Sequence, residues 1–336
     1  MALTQRLRIA SRFNGPKPTG NGGYSAGSFA GILSGAAHSL WGRAPVSVRV
    51  SLAAPPPLEH DMLVEIDTSH SADGMLSAVL KDGETLIATA ETLALTVSCA
   101  HESAQMSEEH PAIAEAITPA ALALWRGQGE TMDIGPQSFG HCFVCGHKRH
   151  WPNGLCLYAR PAMRLDAAPV PKGAIVSDWS LHESFQDCVE YEEQAGAEGF
   201  VRPELIWAAL DCPGYYTCCD GQPALLANIT VTHYQPLPVS RDDVFVAAWP
   251  LSQDGTSVRR LSHGDDQDSN LPDTPRHSDR KRHCRTVVIG QDGTIYAEAK
   301  ALWVLVSEER LDAMINSSVH KPDHAATPPA PSGEPS

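Results

Sequence analysis

At 336 residues the chain has room for two domains of ordinary size. Its 25 basic against 40 acidic residues give a formal net charge of −15, which argues against nucleic acid or an anionic membrane as the main partner. No window approaches 18 consecutive apolar residues, the N-terminus lacks the apolar core of a signal peptide, and nine cysteines form no regular framework, so the expectation is a soluble, cytoplasmic protein with reduced thiols.

In chain order, Leu7 to Phe13 reads as a short strand and the Pro/Gly-rich run after it as a loop. Tyr24 to Leu40 is small and apolar with glycines at 27, 31 and 35, a buried helix that a neighbouring backbone can approach closely. Val46 to Leu52 alternates with period two, Met62 to Ile66 is a second strand, and Met75 to Leu80 with Leu86 to Val97 forms a hairpin around Asp82-Gly83. Residues 1–100 thus read as one unit of strand, helix and four strands. Residues 101–137, acidic and Ala/Pro-rich, read as a linker.

The pattern then returns over 138–310: Leu155 to Arg160 and Ile175 to Ser180 as extended pieces, a helix from Phe200 to Tyr216, strands at Leu225 to Thr232 and Asp243 to Trp249, and a hairpin around Asp292-Gly293. A shift of 181 residues superposes the halves without gaps through the middle, Val48 and Val50 falling on Ile229 and Val231, Pro55 and Pro57 on Pro236 and Pro238. At the closing hairpins the shift grows to 210, which a polar insertion near 253–283 accounts for. Residues 311–336 read as a disordered tail.

In FVRPELIWAALDCPGYY, Pro203 suits a first helical turn, Glu204 complements the positive end of the helix dipole, and Pro213 with Gly214 kinks or ends the helix. One carboxylate, Asp211, interrupts an otherwise apolar segment, which is costly unless it is satisfied or used. It either caps a broken helix, pairs with an arginine, or serves chemistry.

A long apolar helix followed by an antiparallel sheet, present twice, resembles the double hotdog of acyl-CoA thioesterases, an α+β architecture with each sheet wrapped around its helix. CFVCGHKRHWPNGLCLY, from Cys142, is similar to the CFxCGxxNPxGLxL opening of thioesterases of the phenylacetic-acid-pathway type, with Asn153, Gly154 and Leu155 matching. PELIWAALD resembles the GGxxxxLxD helix start of that group, which puts Asp211 on its catalytic aspartate. The likeness covers roughly Ile9 to Leu95 and Phe139 to Val306. It departs at the His-Gly-Gly before the helix, here Val201-Arg202-Pro203-Glu204. The 181-residue shift lays Gly22 and Gly23 on Pro203 and Glu204, and Ala30 on Asp211, so each half has what the other lacks.

The resemblance therefore implies one composite site. Backbone N–H groups near Gly22 and Gly23 would hold a developing oxyanion, and Asp211 would activate water or attack directly. Asn21, Tyr24, Glu204, Trp207 and Tyr215 would bind substrate. The implied partner is an acyl-CoA, with no cofactor and no metal, and a homodimer of double hotdogs remains open. A hotdog protein that binds acyl groups without hydrolysing them is the alternative, and a dehydratase a third.

Two other motifs compete. Gly23-Tyr24-Ser25-Ala26-Gly27 fits G-x-S-x-G, which as a nucleophile elbow would make Ser25 the nucleophile and needs a strand before it. Cys142 and Cys145, with His141, His147 and His150 nearby, are either half a zinc site or a reduced pair that stabilises a turn; Cys218-Cys219 is badly spaced for the other half. The basic run Arg280 to Arg285 could touch a CoA phosphate or be a solvated loop end.

Overall fold

Asn21 starts the long helix of the computed structural model, which describes residues 3–16, 18–93, 139–162, 173–186, 199–251 and 280–317. Its side chain accepts the Tyr24 N–H at 2.8 Å, which satisfies one of the donors that a helix start leaves unpaired. Helix α1 (Gly22–Trp41) then runs twenty residues and stops where Gly42 turns left-handed, φ 69°, with its N–H on the His38 carbonyl.

The equivalent helix of the second half is broken. Helix α2 (Pro203–Ala209) ends at Leu210, and α3 (Cys212–Cys218) begins after Asp211. Sequence placed the break at Pro213 and Gly214; the structure places it two residues earlier. The cause is local: Pro213 has no N–H, and its ring would meet the carbonyl four residues back, that of Ala209. The interruption must precede the proline, and Asp211 occupies it. Pro213 itself sits in the first turn of α3, where it is tolerated.

The strands form one antiparallel sheet. In the first half these are β1 (Leu3–Arg8), β2 (Ser47–Leu52), β3 (Asp61–Asp67), β4 (Ser77–Asp82) and β5 (Thr85–Thr92). In the second they are β6 (Arg160–Pro161), β7 (Ile175–Asp178), β8 (Ala224–His233), β9 (Val244–Pro250), β10 (Lys281–Gly290) and β11 (Ile295–Leu305). Spatial order is β1-β3-β4-β5-β2-β8-β11-β10-β9-β7-β6, so the halves run outward from a shared seam between β2 and β8. Val48 faces Val231 and Val50 faces Ile229 across that seam. Helices α1 and α2 pack on each other, and one continuous core of buried Leu, Ile, Val, Ala and aromatic side chains runs through both halves. This is the double hotdog fold.

Several expected elements differ. The first strand is Leu3–Arg8, where it pairs with β3; Ser11–Phe13 turns as a short 3-10 helix and carries Phe13 into the core. Leu155 to Ala159 is irregular, with Cys156 left-handed at φ 53°, and only Arg160–Pro161 pairs with β7. A helix α4 (Glu308–Ser317) occupies the start of the expected tail, anchored by Leu311 at 2 % exposure and by the Ser307 hydroxyl, which accepts the Arg310 N–H. The expected linker at 101–137, the insertion near 253–283 up to residue 279, and the tail beyond Ser317 lie outside the described residues.

Candidate active site

Two glycines bring the helices into contact. A Cβ on Gly27 would lie 2.6 Å from the Trp207 Cβ and 2.9 Å from the Glu204 Cα, so only glycine allows α2 to cross there. One turn earlier, a Cβ on Gly23 would lie 2.5 Å from both the Asp211 Cβ and the Trp207 carbonyl oxygen. This close crossing delivers Asp211 from the second half to the N-terminus of α1 in the first.

There the Asp211 Oδ2 accepts the Gly23 N–H at 2.9 Å and the Asn21 Nδ2 at 3.0 Å. Asn21 therefore works in two directions: its oxygen caps α1 and its amide holds the carboxylate. The other carboxylate oxygen, Oδ1, is buried without a hydrogen-bond partner, and the whole residue is 2 % exposed. Burial pushes the carboxyl up to about 7; the Gly23 N–H pulls it down, the Cys142 sulfur pushes it up, and the Asn21 amide pulls it down again. It can thus exchange a proton near neutrality.

A cavity of about 240 Å³ opens beside this carboxylate. Its walls are largely apolar, with Leu52, Leu226, Phe139, Tyr215 and Trp303 among them. Tyr215 is wedged edge-on between Phe139 and Trp303, ring centroids 5.6 and 5.5 Å away, and its hydroxyl donates to the Gln222 carbonyl. The inner end carries Asn21, Gly22 and Asp211, while the exposed Arg280 and Arg310 also border the space. Gly22 is the first residue of α1, so its N–H belongs to the amides that the helix itself leaves unpaired.

Asn21, Gly22, Gly23, Asp211 and Tyr215 are thus gathered at one place. Tyr24, Glu204 and Trp207 are not: none of them lines this cavity. Tyr24 stacks on Phe13 at 3.8 Å, Glu204 lies 3.5 Å from the Arg202 guanidinium, and the Trp207 indole donates to His233 Nε2 at 3.1 Å. Glu204 and Trp207 lie in the helix crossing itself, against Gly27.

Ser25 lies within the first turns of α1, 1 % exposed, preceded by a loop closed by the Asn14 and Gly20 bridge and set in an antiparallel sheet. Among the described residues no strand of the kind an elbow requires leads into the serine. Among the described residues that line the cavity there is no histidine.

Sequence reasoning singled out Cys142 and Cys145 as half a zinc site but missed Cys212 as their partner. Cys142, Cys145 and Cys212 all line the cavity, and their sulfurs lie within 4.8 Å of one another. Cys212 could have been suspected only from its place next to Asp211. Nothing in the spacing tied it to Cys142, which is 70 residues earlier.

No protein-family model matches the chain, and no curated protein matches it. Among solved structures it is similar to an N-terminal dehydratase from the difficidin assembly line, at 10 % identity over 95 % of this chain and 99 % of that one, with a TM-score of 0.50. It is also similar to a protein of unknown function with hot dog fold from Alicyclobacillus acidocaldarius, at 13 % identity over 90 % and 93 % of the two chains and a TM-score of 0.42. A third is the TesB protein of Mycobacterium avium subspecies paratuberculosis, at 10 % identity over 91 % and 92 %, with a TM-score of 0.45. Identities this low speak to the fold alone, and the fold is the double hotdog.

Proposed function

We propose that the chain hydrolyses an acyl-CoA thioester in the cavity between its halves, with Asp211 as base or nucleophile and the Gly22 N–H as oxyanion donor. The observation that carries this reading is the Asp211 carboxylate bound at 2.9 Å to the start of the other half's helix, at the inner end of an apolar cavity. The apolar walls suit an acyl chain, and Arg280 and Arg310 suit the phosphates of CoA. Gly23 is not the oxyanion donor in this scheme, because its N–H is already held by the carboxylate. Its task is to hold Asp211.

With Asp211 as base, Oδ1 takes a proton from water as the water oxygen bonds to the thioester carbon. Negative charge develops on the carbonyl oxygen, facing the Gly22 N–H. The carbon–sulfur bond then breaks, the thiolate leaves, and the proton on Asp211 neutralises it. With Asp211 as nucleophile, Oδ1 bonds to the carbon instead and water hydrolyses the resulting anhydride. Single turnover in ¹⁸O water separates the routes, since only the second places label in Asp211.

The test is thiol release over a panel of acyl-CoAs, with Asp211→Asn beside the wild-type chain. Loss of the base is expected to lower turnover by about 10²–10⁴-fold while binding stays within a few-fold. Near-normal turnover in a folded Asp211→Asn protein would refute the mechanism. One observation favours a second reading, a hotdog protein that binds acyl groups without cleaving them: Asp211 is 2 % exposed and its Oδ2 is already occupied by two donors. Saturable acyl-CoA binding without turnover would select it.

A further inference from the structure

The sulfurs of Cys142 and Cys212 are 3.7 Å apart, and those of Cys142, Cys145 and Cys212 lie within 4.8 Å of one another. Polar hydrogens converge on two of these sulfurs. The backbone N–H groups of Val144 and Cys145 point at the Cys142 sulfur, and the Asn21 Nδ2 lies 3.8 Å from the sulfurs of both Cys142 and Cys212. Neutral thiols bind such donors weakly, whereas a thiolate gains from each of them.

The turn that carries the first two cysteines is rigid. Gly146 N–H closes it on the Cys142 carbonyl at 3.0 Å, and a Cβ on Gly146 would lie 2.5 Å from that oxygen and 2.6 Å from the Cys142 nitrogen. The Phe143 N–H and carbonyl bind Asn14 and Leu155, so the turn is tied down on both sides. Cys212 arrives from elsewhere, at the first position of α3 after the helix break.

We infer that Cys142, Cys145 and Cys212 form a binding site for one soft d¹⁰ divalent cation, Zn²⁺, with its fourth position open to the cavity. Bonds of about 2.3 Å to zinc at tetrahedral angles set sulfurs about 3.8 Å apart, so the Cys142 to Cys212 separation needs almost no adjustment. Three thiolate ligands select zinc over hard cations such as Mg²⁺ and Ca²⁺. The open fourth position follows because all three cysteines line the cavity. The Asn21 amide and the two backbone N–H groups then act as the outer support that metal-bound sulfur requires. Zinc would rivet the Cys142 turn to the segment that carries Asp211. This inference rests on the cysteine geometry and is independent of the thioester reading.

The experiment uses the full chain, reduced, stripped with a chelator and titrated with Co²⁺ without substrate. A thiolate-to-cobalt charge-transfer band is expected, saturating at one equivalent and abolished by one equivalent of Zn²⁺. Cys145→Ala and Cys212→Ser should each weaken binding by at least about tenfold to a hundredfold, while Cys156→Ser, outside the cluster, leaves the titration unchanged. No charge-transfer band in the folded, reduced wild-type chain would overturn the site. So would an unchanged Co²⁺ affinity in folded Cys145→Ala or Cys212→Ser protein.

Discussion

Arg49 and Thr230 stand opposite each other in adjacent antiparallel strands, joined by a side-chain hydrogen bond of 3.3 Å, and they are 181 residues apart, the interval that relates the two halves in sequence. Each is therefore facing its own counterpart, which puts the pseudo-twofold axis of the molecule between them. On either side, Val48 faces the counterpart of Val50, and Val50 the counterpart of Val48. The seam adds polar ties, Asn228 to Ser51 at 2.7 Å and Thr232 to Ser47 at 3.1 Å.

The seam predicts that the halves hold together without a covalent link. A protease site placed within residues 110–125 and then cut should leave both fragments in one peak on size exclusion. Thiol-release activity should be nearly unchanged. Separate elution of the fragments would mean that the β2–β8 ladder and the helix crossing do not suffice.

The glycines of α1 predict opposite outcomes along one helix. Gly27→Ala forces a Cβ to 2.6 Å from Trp207 and should cost about 1–3 kcal/mol, with Gly23→Ala at least as costly. Nothing lies within 4 Å of a Cβ on Gly31 or Gly35, so alanine there should stabilise by about 0.5–1 kcal/mol. Urea midpoints read both effects. A neutral Gly27→Ala would mean that the helices are not in contact there.

The composite site predicts an asymmetry between equivalent positions. Proline is tolerated at a first helical position, and Asn21, with φ −62° and ψ 133°, already has the extended geometry that a following proline demands. Gly22→Pro should therefore fold once the Leu226 side chain, 3.1 Å from the added Cβ, gives way slightly, yet lose about 10²–10³-fold in turnover with the donor N–H gone. Pro203→Ala restores an N–H at the mirrored position, where Ala30 offers no carboxylate, and should leave turnover unchanged. Full activity in folded Gly22→Pro protein would return Gly22 to an ordinary loop role.

His233 predicts a loss of stability in acid. The Trp207 indole can only donate, so the His233 Nε2 at 3.1 Å must be unprotonated, and burial pushes the ring down to about 4. Below the ordinary histidine value of about 6.5 the unfolded chain takes up a proton that the folded chain refuses. The contribution is thus complete above about pH 6.5 and lost as pH falls toward about 4, on the order of 3 kcal/mol. His233→Gln should flatten the fall in urea midpoint between about pH 7 and pH 4.5. An equally steep fall in that variant would assign the acid sensitivity to another group.

Periodicity and repeat made most of this architecture legible. Val48 and Val50 alternate as one face of a strand must, and the same alternation 181 residues later disclosed the duplication. The helix break was misread by two residues because a proline acts on the turn before it rather than at its own position. Glu204 and Trp207 were grouped with Asp211, and Tyr24 with Gly22 and Gly23, by nearness in sequence, and none of the three lines the cavity. The cysteine cluster was illegible for a different reason: Cys212 meets Cys142 only through the crossing of α1 and α2, and that crossing depends on Gly23 and Gly27 lacking side chains.

Among the described residues the sheet has eleven strands and two ends, where unpaired backbone could recruit a strand from another molecule and seed aggregation. Both ends of the described sheet are blunted. The outer strand β1 carries Arg6 and Arg8, paired with Asp61 and Glu59 at 3.4 and 3.0 Å, so an incoming strand would meet a row of charge. At the other end β6 is two residues long and includes Pro161, which has no N–H to offer. Growth by strand addition is disfavoured at either edge, and a second copy of this chain would have to meet it through a face of the molecule instead.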